Sequence, residues 1–231
     1  MLKIVTGHVV TLLALVLAGA GYAADEEGET FNLDGLVVVE ESRMHAAYID
    51  PEADFSAFRR VSILDPHVAF RSNWQRDQNR SRSRNVRASD IERIKEDVAG
   101  LFKDVFVERL EAAGYEVVNY ADEDVLVVRP AIVDLDVTAP DTRSTGRQRT
   151  YAASAGAATL FVELFDSLSG DLIGRAADRR GARNSGGFAI QANRVTNRST
   201  ARREFAVWAD RLVAFLDSHY VEADKLEADQ S

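Results

Sequence analysis

The sequence predicts an α+β or α/β domain, a single layered unit in which a mixed β-sheet is packed by two main helices. Three observations predict it. Ile91, Ile94, Val98, Leu101, Phe102, Val105 and Leu110 recur at helical spacing. Apolar runs of strand length, such as "VSIL", "VLVVRPAIVDLDV" and "AATLFVELF", are separated by polar turns. The order of elements is strand, helix, strand, strand, hairpin, helix, with few helices and mostly short links.

Each element has a local reason. Leu36 to Val39 is a short apolar run, an edge strand or a packed extension. Pro51 and the Asp54–Ser56 region form a turn, and Val61 to Leu64 a strand ended by Asp65-Pro66. His67 to Phe70 continues that strand or pairs beside it. Arg71 to Arg87 shows no periodicity and reads as a loop. Ser89-Asp90-Ile91-Glu92 has the form of a capping box, so the first main helix runs from about Asp90 to Ala113 and stops at Gly114. Tyr115 to Tyr120 and Val125 to Val137 are strands, and Pro130 argues for an edge or a bulge in the second. Ala157 to Phe165, the turn "DSLSGD" and "LIGRAADRRG" form a hairpin. A second helix starts at Ser199 or Thr200 and buries Phe205, Trp208, Leu212, Phe215 and Leu216.

The first residues carry an address. A basic start, an apolar run from Val9 to Gly21 and small residues at Gly21 and Ala23 make a secretory signal peptide, cut between Ala23 and Ala24. The apolar run is shorter than the roughly 20 residues a membrane span needs, and no other segment is apolar enough to cross a bilayer. The expected organisation is a signal peptide at 1–23, an acidic mobile lead-in at 24–35, one domain at 36–220 and an acidic tail at 221–231. The expected location is the periplasm. The chain has 0 cysteines, which excludes disulfides, thiolate zinc sites and a lipid-anchored N-terminal cysteine.

Charge is unevenly placed. The net charge is −9, yet Arg71, Arg76, Arg80, Arg82, Arg84 and Arg87 crowd one polar stretch, and Arg143, Arg147 and Arg149 another. Arginine pairs bidentately with carboxylates and phosphates. Arginines beside Trp74 resemble a single-stranded nucleic-acid arm, but export argues against a nucleic-acid partner. Anionic lipid, lipopolysaccharide or an acidic envelope protein are the expected partners. The bland alternative is that these arginines pair with the protein's own acids or stay solvated.

Three blocks, "YIDPEADFSAFRRVSI", "LEAAGYEVV…DEDVLVVRPAIVDL" and "VELFDSLSGDLIGRAADRR", resemble the bacterial family called domain of unknown function 3313, over roughly Tyr48 to Arg180. The resemblance implies a Gram-negative envelope protein with no agreed activity and no catalytic residues to carry over. Most members of that family read as lipoproteins. This chain departs from them in lacking the anchor cysteine, which implies an unanchored periplasmic member.

No catalytic constellation stands out. His45, His67 and His219 lack metal-ligand spacing, and no metal or cofactor is expected. Asp134 and Asp136 lie two apart on a strand and so share a face, and Asp122, Glu123 and Asp124 share a turn. Either group has the oxygens calcium prefers, but pairing with nearby arginines is the favoured reading for Asp134 and Asp136. Asp178 reads as an ion-pair residue or a general base.

The expected function is a non-enzymatic envelope accessory or binding protein whose arginine loops form the contact surface. One alternative is a hydrolase built on Asp134, Asp136 and Asp178, which requires those carboxylates to converge. The other is a structural subunit that oligomerises through sheet edges.

Overall fold

A computed structural model describes residues 35–80, 85–137, 151–152, 156–181, 190–191 and 194–229. In chain order the elements are β1 (Val37–Val38), β2 (Ala46–Ile49), a 3-10 turn (Phe55–Ala57), β3 (Arg60–Ile63), β4 (His67–Phe70), α1 (Trp74–Arg80) and α2 (Ala88–Ala112). There follow β5 (Glu116–Val117), β6 (Val125–Asp136), β7 (Tyr151–Ala152), β8 (Ala157–Asp166), β9 (Leu172–Gly181), β10 (Ile190–Gln191) and α3 (Arg194–Asp229).

The fold is mixed α+β. An open eight-stranded sheet has the order β1-β2-β9-β8-β6-β3-β5, and β4 adds to β6 beyond the end of β3. β7 and β10 form a separate two-stranded ribbon. β6 is the spine: β3 and β4 run parallel to it on one side and β8 antiparallel on the other. Return from β4 to a parallel β6 needs a crossover, and α2 supplies it.

α2 and α3 cover one face of the sheet. Leu101, Phe102, Val105, Phe106 and Leu110 of α2 are buried, as are Phe205, Trp208, Ala209 and Leu216 of α3. Their aromatic rings interlock. Phe102 stacks on Phe106 at 4.0 Å and meets Phe205 edge-on at 5.4 Å. Such pairs add directional preference to the burial of large apolar area. α2 ends at Gly114 (φ +94°), and the Tyr115 N–H then donates to the Leu110 carbonyl, which closes the turn.

The β8–β9 hairpin matches its sequence signal. Asp166 Oδ1 accepts from the backbone of Leu168 and Ser169, and Gly170 supplies the left-handed residue at φ +75°.

Several local expectations need correction. Residues 71–87 are not all loop, because Trp74–Arg80 is helical and Trp74 is buried. The arginines hid its apolar anchor from a periodicity count. The cap of α2 is not at Ser89. Arg87 takes the cap position, and Asp90 Oδ2 accepts from its N–H at 3.1 Å. The strand expected at Tyr115 to Tyr120 narrows to Glu116–Val117, and α3 begins at Arg194 rather than Ser199. α3 also continues to Asp229, through most of the acidic stretch expected as a tail.

Pro130 lies mid-strand in β6, the spine rather than an edge, opposite Val162 of β8. The Val128 carbonyl accepts from Leu64 N at the end of β3. Two residues on, Pro130 turns its nitrogen to that same side. There it faces the Asp65-Pro66 break between β3 and β4, where no strand asks for a donor.

A bulge does occur four residues later. The β6–β8 register shifts between Val133 and Asp136, and Asp134 sits at φ +51°. Up to Ile132 the even-numbered residues of β6 face the core, and after the bulge Leu135 does. Without the extra residue, alternation would drive Asp134 and Asp136 into the apolar layer.

Candidate functional site

The arginine stretch divides by role. Arg71 Nη1 donates to Asp77 Oδ2 at 2.8 Å, and its Nε lies 2.8 Å from Asp136 Oδ2. The guanidinium therefore ties the start of α1 to the end of β6. The Asp77 hydrogen bond, followed by that of Asp136, raises the pKa of Arg71, and the Arg71 hydrogen bond holds the Asp77 carboxyl below its usual range. Arg71 is thus an internal tie, not a free anion contact. Arg76 and Arg80 differ: their side chains are 61% and 70% exposed, and they flank Asp77 at 4.0 and 3.7 Å. Arg87 is also exposed. Arg82, Arg84, Arg143, Arg147 and Arg149 lie outside the described residues.

Below this surface, α1 is pinned by its aromatic residue. Trp74 Nε1 donates to the Val137 carbonyl at 2.8 Å, and its ring stacks on Phe70 at 4.0 Å. Gln75 Nε2 donates to the Val86 carbonyl and the Val86 N–H donates to Asn79 Oδ1, so the chain entering α2 is laced to α1. The exposed arginines therefore ride on a fixed helix.

The three carboxylates of the hydrolase reading do not converge. Asp134 is exposed near Arg179 at 3.7 Å, Asp136 pairs with Arg71, and Asp178 is buried under α3. Asp134 and Asp136 thus pair with arginines, the reading favoured for them from sequence. Asp122 and Asp124 likewise clasp Arg60, which also donates to Tyr120 Oη. Among the described residues no group of three His, Asp or Glu side chains is placed to hold a metal ion. Nor is any described helix long and apolar enough to cross a membrane.

Asp178 is an ion-pair residue. Its Oδ2 accepts from Trp208 Nε1 at 2.8 Å and from Arg211 Nη1 at 2.6 Å. Trp208 and Arg211 stand three apart on α3, on one face. Burying a carboxylate is costly unless it is paired and hydrogen-bonded, and these two donors supply both.

Beside this triad runs an apolar groove of about 450 Å³, between α3 and the inner face of β2, β9 and β8. A second recess of about 250 Å³ opens between α2, α3 and the ends of β6 and β8, and Trp208 borders both. Neither was foreseen from sequence. The groove's signal is faint: Ala47 and Ala176, both on its wall, are cross-strand partners. Small residues on an inner face leave depth, yet in sequence they resemble any close-packed strand pair.

Solved structures with a similar arrangement share little sequence. A PelC dodecamer from Paraburkholderia phytofirmans is 12% identical over 69% of this chain and 91% of its own, with a TM-score of 0.35. A DUF330 protein from Xanthomonas campestris is 10% identical over 73% and 89%, with a TM-score of 0.40. A DUF4136 family protein from Bacteroides thetaiotaomicron is 15% identical over 78% and 98%, with a TM-score of 0.31. No curated protein matches the chain. The family described as "Protein of unknown function (DUF3313)" matches residues 25–212, which takes in every described strand and α3 as far as Leu212, and the chain belongs to that family.

Proposed function

We propose that the protein is a non-enzymatic binding or accessory protein of the bacterial cell envelope, exported by its N-terminal signal. Its arginine-bearing segment would contact anionic envelope components. The observation that supports this reading is the exposure of Arg76 and Arg80 on a helix anchored by Trp74, while the acid between them, Asp77, is held by Arg71. Arg82, Arg84, Arg87, Arg143, Arg147 and Arg149 are proposed as further anion contacts on the strength of their sequence clustering. Cations held on a rigid support lose little side-chain freedom on meeting phosphate oxygens.

The test is co-sedimentation of the mature protein with phosphatidylglycerol vesicles, and with lipopolysaccharide, at low and high salt. Each arginine near an anionic surface contributes about 1 kcal/mol. Replacing Arg76, Arg80 and Arg84 together by Ala should therefore weaken binding on the order of 100-fold. Absence of salt-dependent binding, or binding unchanged in the triple variant, rejects the proposal.

A further inference from the structure

We infer that the groove between α3 and the β2–β9 edge is a binding site for a single-chain amphiphile, an acyl chain ending in a carboxylate or phosphate. The site is separate from the arginine surface of α1, and the inference does not depend on that surface binding anything.

The groove has the two parts such a ligand needs. Its floor and walls are apolar, built from Leu160 and Val162 of β8, Ala47 and Ala176 of β2 and β9, and Trp208 and Leu212 of α3. Its volume of about 450 Å³ lies within the roughly 300–1,000 Å³ range of small-molecule sites. The depth comes from the Ala47–Ala176 pair, since a larger side chain at either position would rise into the space. An extended hydrocarbon chain gains by leaving water for such a surface, and asks it for no hydrogen bonds.

The polar part is Arg211. Its side chain is 21% exposed, and Nη1 makes both of its contacts, to Asp178 Oδ2 at 2.6 Å and to Met44 Sδ at 3.7 Å. Nε and Nη2 have no protein acceptor among the described residues. A guanidinium that lines an apolar groove, is partly withdrawn from water and keeps two nitrogens unengaged by described residues is matched by an anionic oxygen pair. Asp178 holds the side chain in place for that contact. Arg43 stands exposed on the rim, but Glu41 shares the rim and offsets it. Arg175 also borders the groove, but Glu163 holds its Nε and Nη2, so the head group is assigned to Arg211.

The test uses the whole mature protein and a stearate carrying a nitroxide quencher on its chain. Trp208 lines the groove and reports directly, whereas the other tryptophan, Trp74, lies beneath α1. Saturable quenching of about half the fluorescence is expected, and Ala176→Phe, which fills the groove, should abolish it. Arg211→Lys keeps a cation for Asp178 but removes the planar fork. It should weaken stearate and lysophosphatidate at least about fivefold while leaving stearyl alcohol unchanged. Circular dichroism melts establish that both variants are folded. No quenching by the labelled stearate, or quenching undiminished in folded Ala176→Phe, overturns the site. Equal affinity for acid and alcohol, or no effect of Arg211→Lys, overturns the anionic head. Preference for stearate over lysophosphatidate, or the reverse, identifies the source of the charge. Vesicle binding through Arg76 and Arg80 is read separately, so failure of either proposal leaves the other standing.

Discussion

The indole nitrogen of Trp208 lies 2.8 Å from Oδ2 of Asp178, and both side chains are buried between α3 and the sheet. One carboxylate on β9 thereby receives two donors from α3, the indole and Arg211, and fixes how that helix lies on the strands.

Removing this carboxylate should be costly. Asp178→Ala leaves the Trp208 N–H and the Arg211 Nη1 without their acceptor. The expected loss is about 2–4 kcal/mol of unfolding free energy, measured by urea denaturation. Replacing Asp178 and Arg211 together by Leu and Met should recover most of it, because no uncompensated charge then remains. A double variant as unstable as Asp178→Ala contradicts the charge argument.

Trp74 should be the keystone of the segment that carries the exposed arginines. Trp74→Ala removes its stack on Phe70 and the hydrogen bond to the Val137 carbonyl. The expected cost is about 3–5 kcal/mol. Trp74→Phe keeps the stack and should cost only about 1 kcal/mol beyond the volume change. Thermal melts of the two variants decide this, and equal losses would mean that the hydrogen bond dominates.

The bulge in β6 requires a residue that tolerates φ +51° at position 134. Asp134→Gly should be neutral or slightly stabilising in chemical denaturation, and Asp134→Asn nearly silent. Asp134→Val, β-branched, should lose about 1–2 kcal/mol. A neutral valine would show that the bulge slides to another residue.

Acid should weaken the protein through its arginine-held and lysine-held carboxylates. Hydrogen bonds from Arg71, Arg60 and Lys103 lower the pKa values of Asp77, Asp122 and Asp65 respectively. Carboxyls in the unfolded chain titrate near ~3.9. Lowered folded values mean that these groups add stability above that pH and lose it as pH falls through the folded values. Melting temperature should hold steady from neutral to about pH 5 and drop below about pH 4. In Asp77→Asn the drop should be shallower, with less stability at neutral pH. An unchanged pH profile in that variant would deny the Arg71 tie any energetic role.

Much of the fold was legible because the deciding physics is local. α2 and the buried face of α3 follow from apolar spacing, and the β8–β9 hairpin from Asp166, Gly170 and the runs on either side. β9 spans the same ten residues, Leu172–Gly181, that the sequence marks as the returning strand. The site was less legible. Arg71 and Arg76 look alike in sequence, yet Arg71 meets Asp136, 65 positions away, and Arg76 meets solvent.

By itself the sequence determined the element order, the mixed α+β class, the family resemblance and the absence of cysteine chemistry. These depend on neighbouring residues or on simple presence. Only the tertiary structure decided that Arg71 is a tie, that the bulge at Asp134 turns two carboxylates out of the core, and that Asp178, Trp208 and Arg211 meet beside a groove. Each depends on which side chains from distant segments share a few ångströms, and no periodicity along one strand or helix encodes that distance.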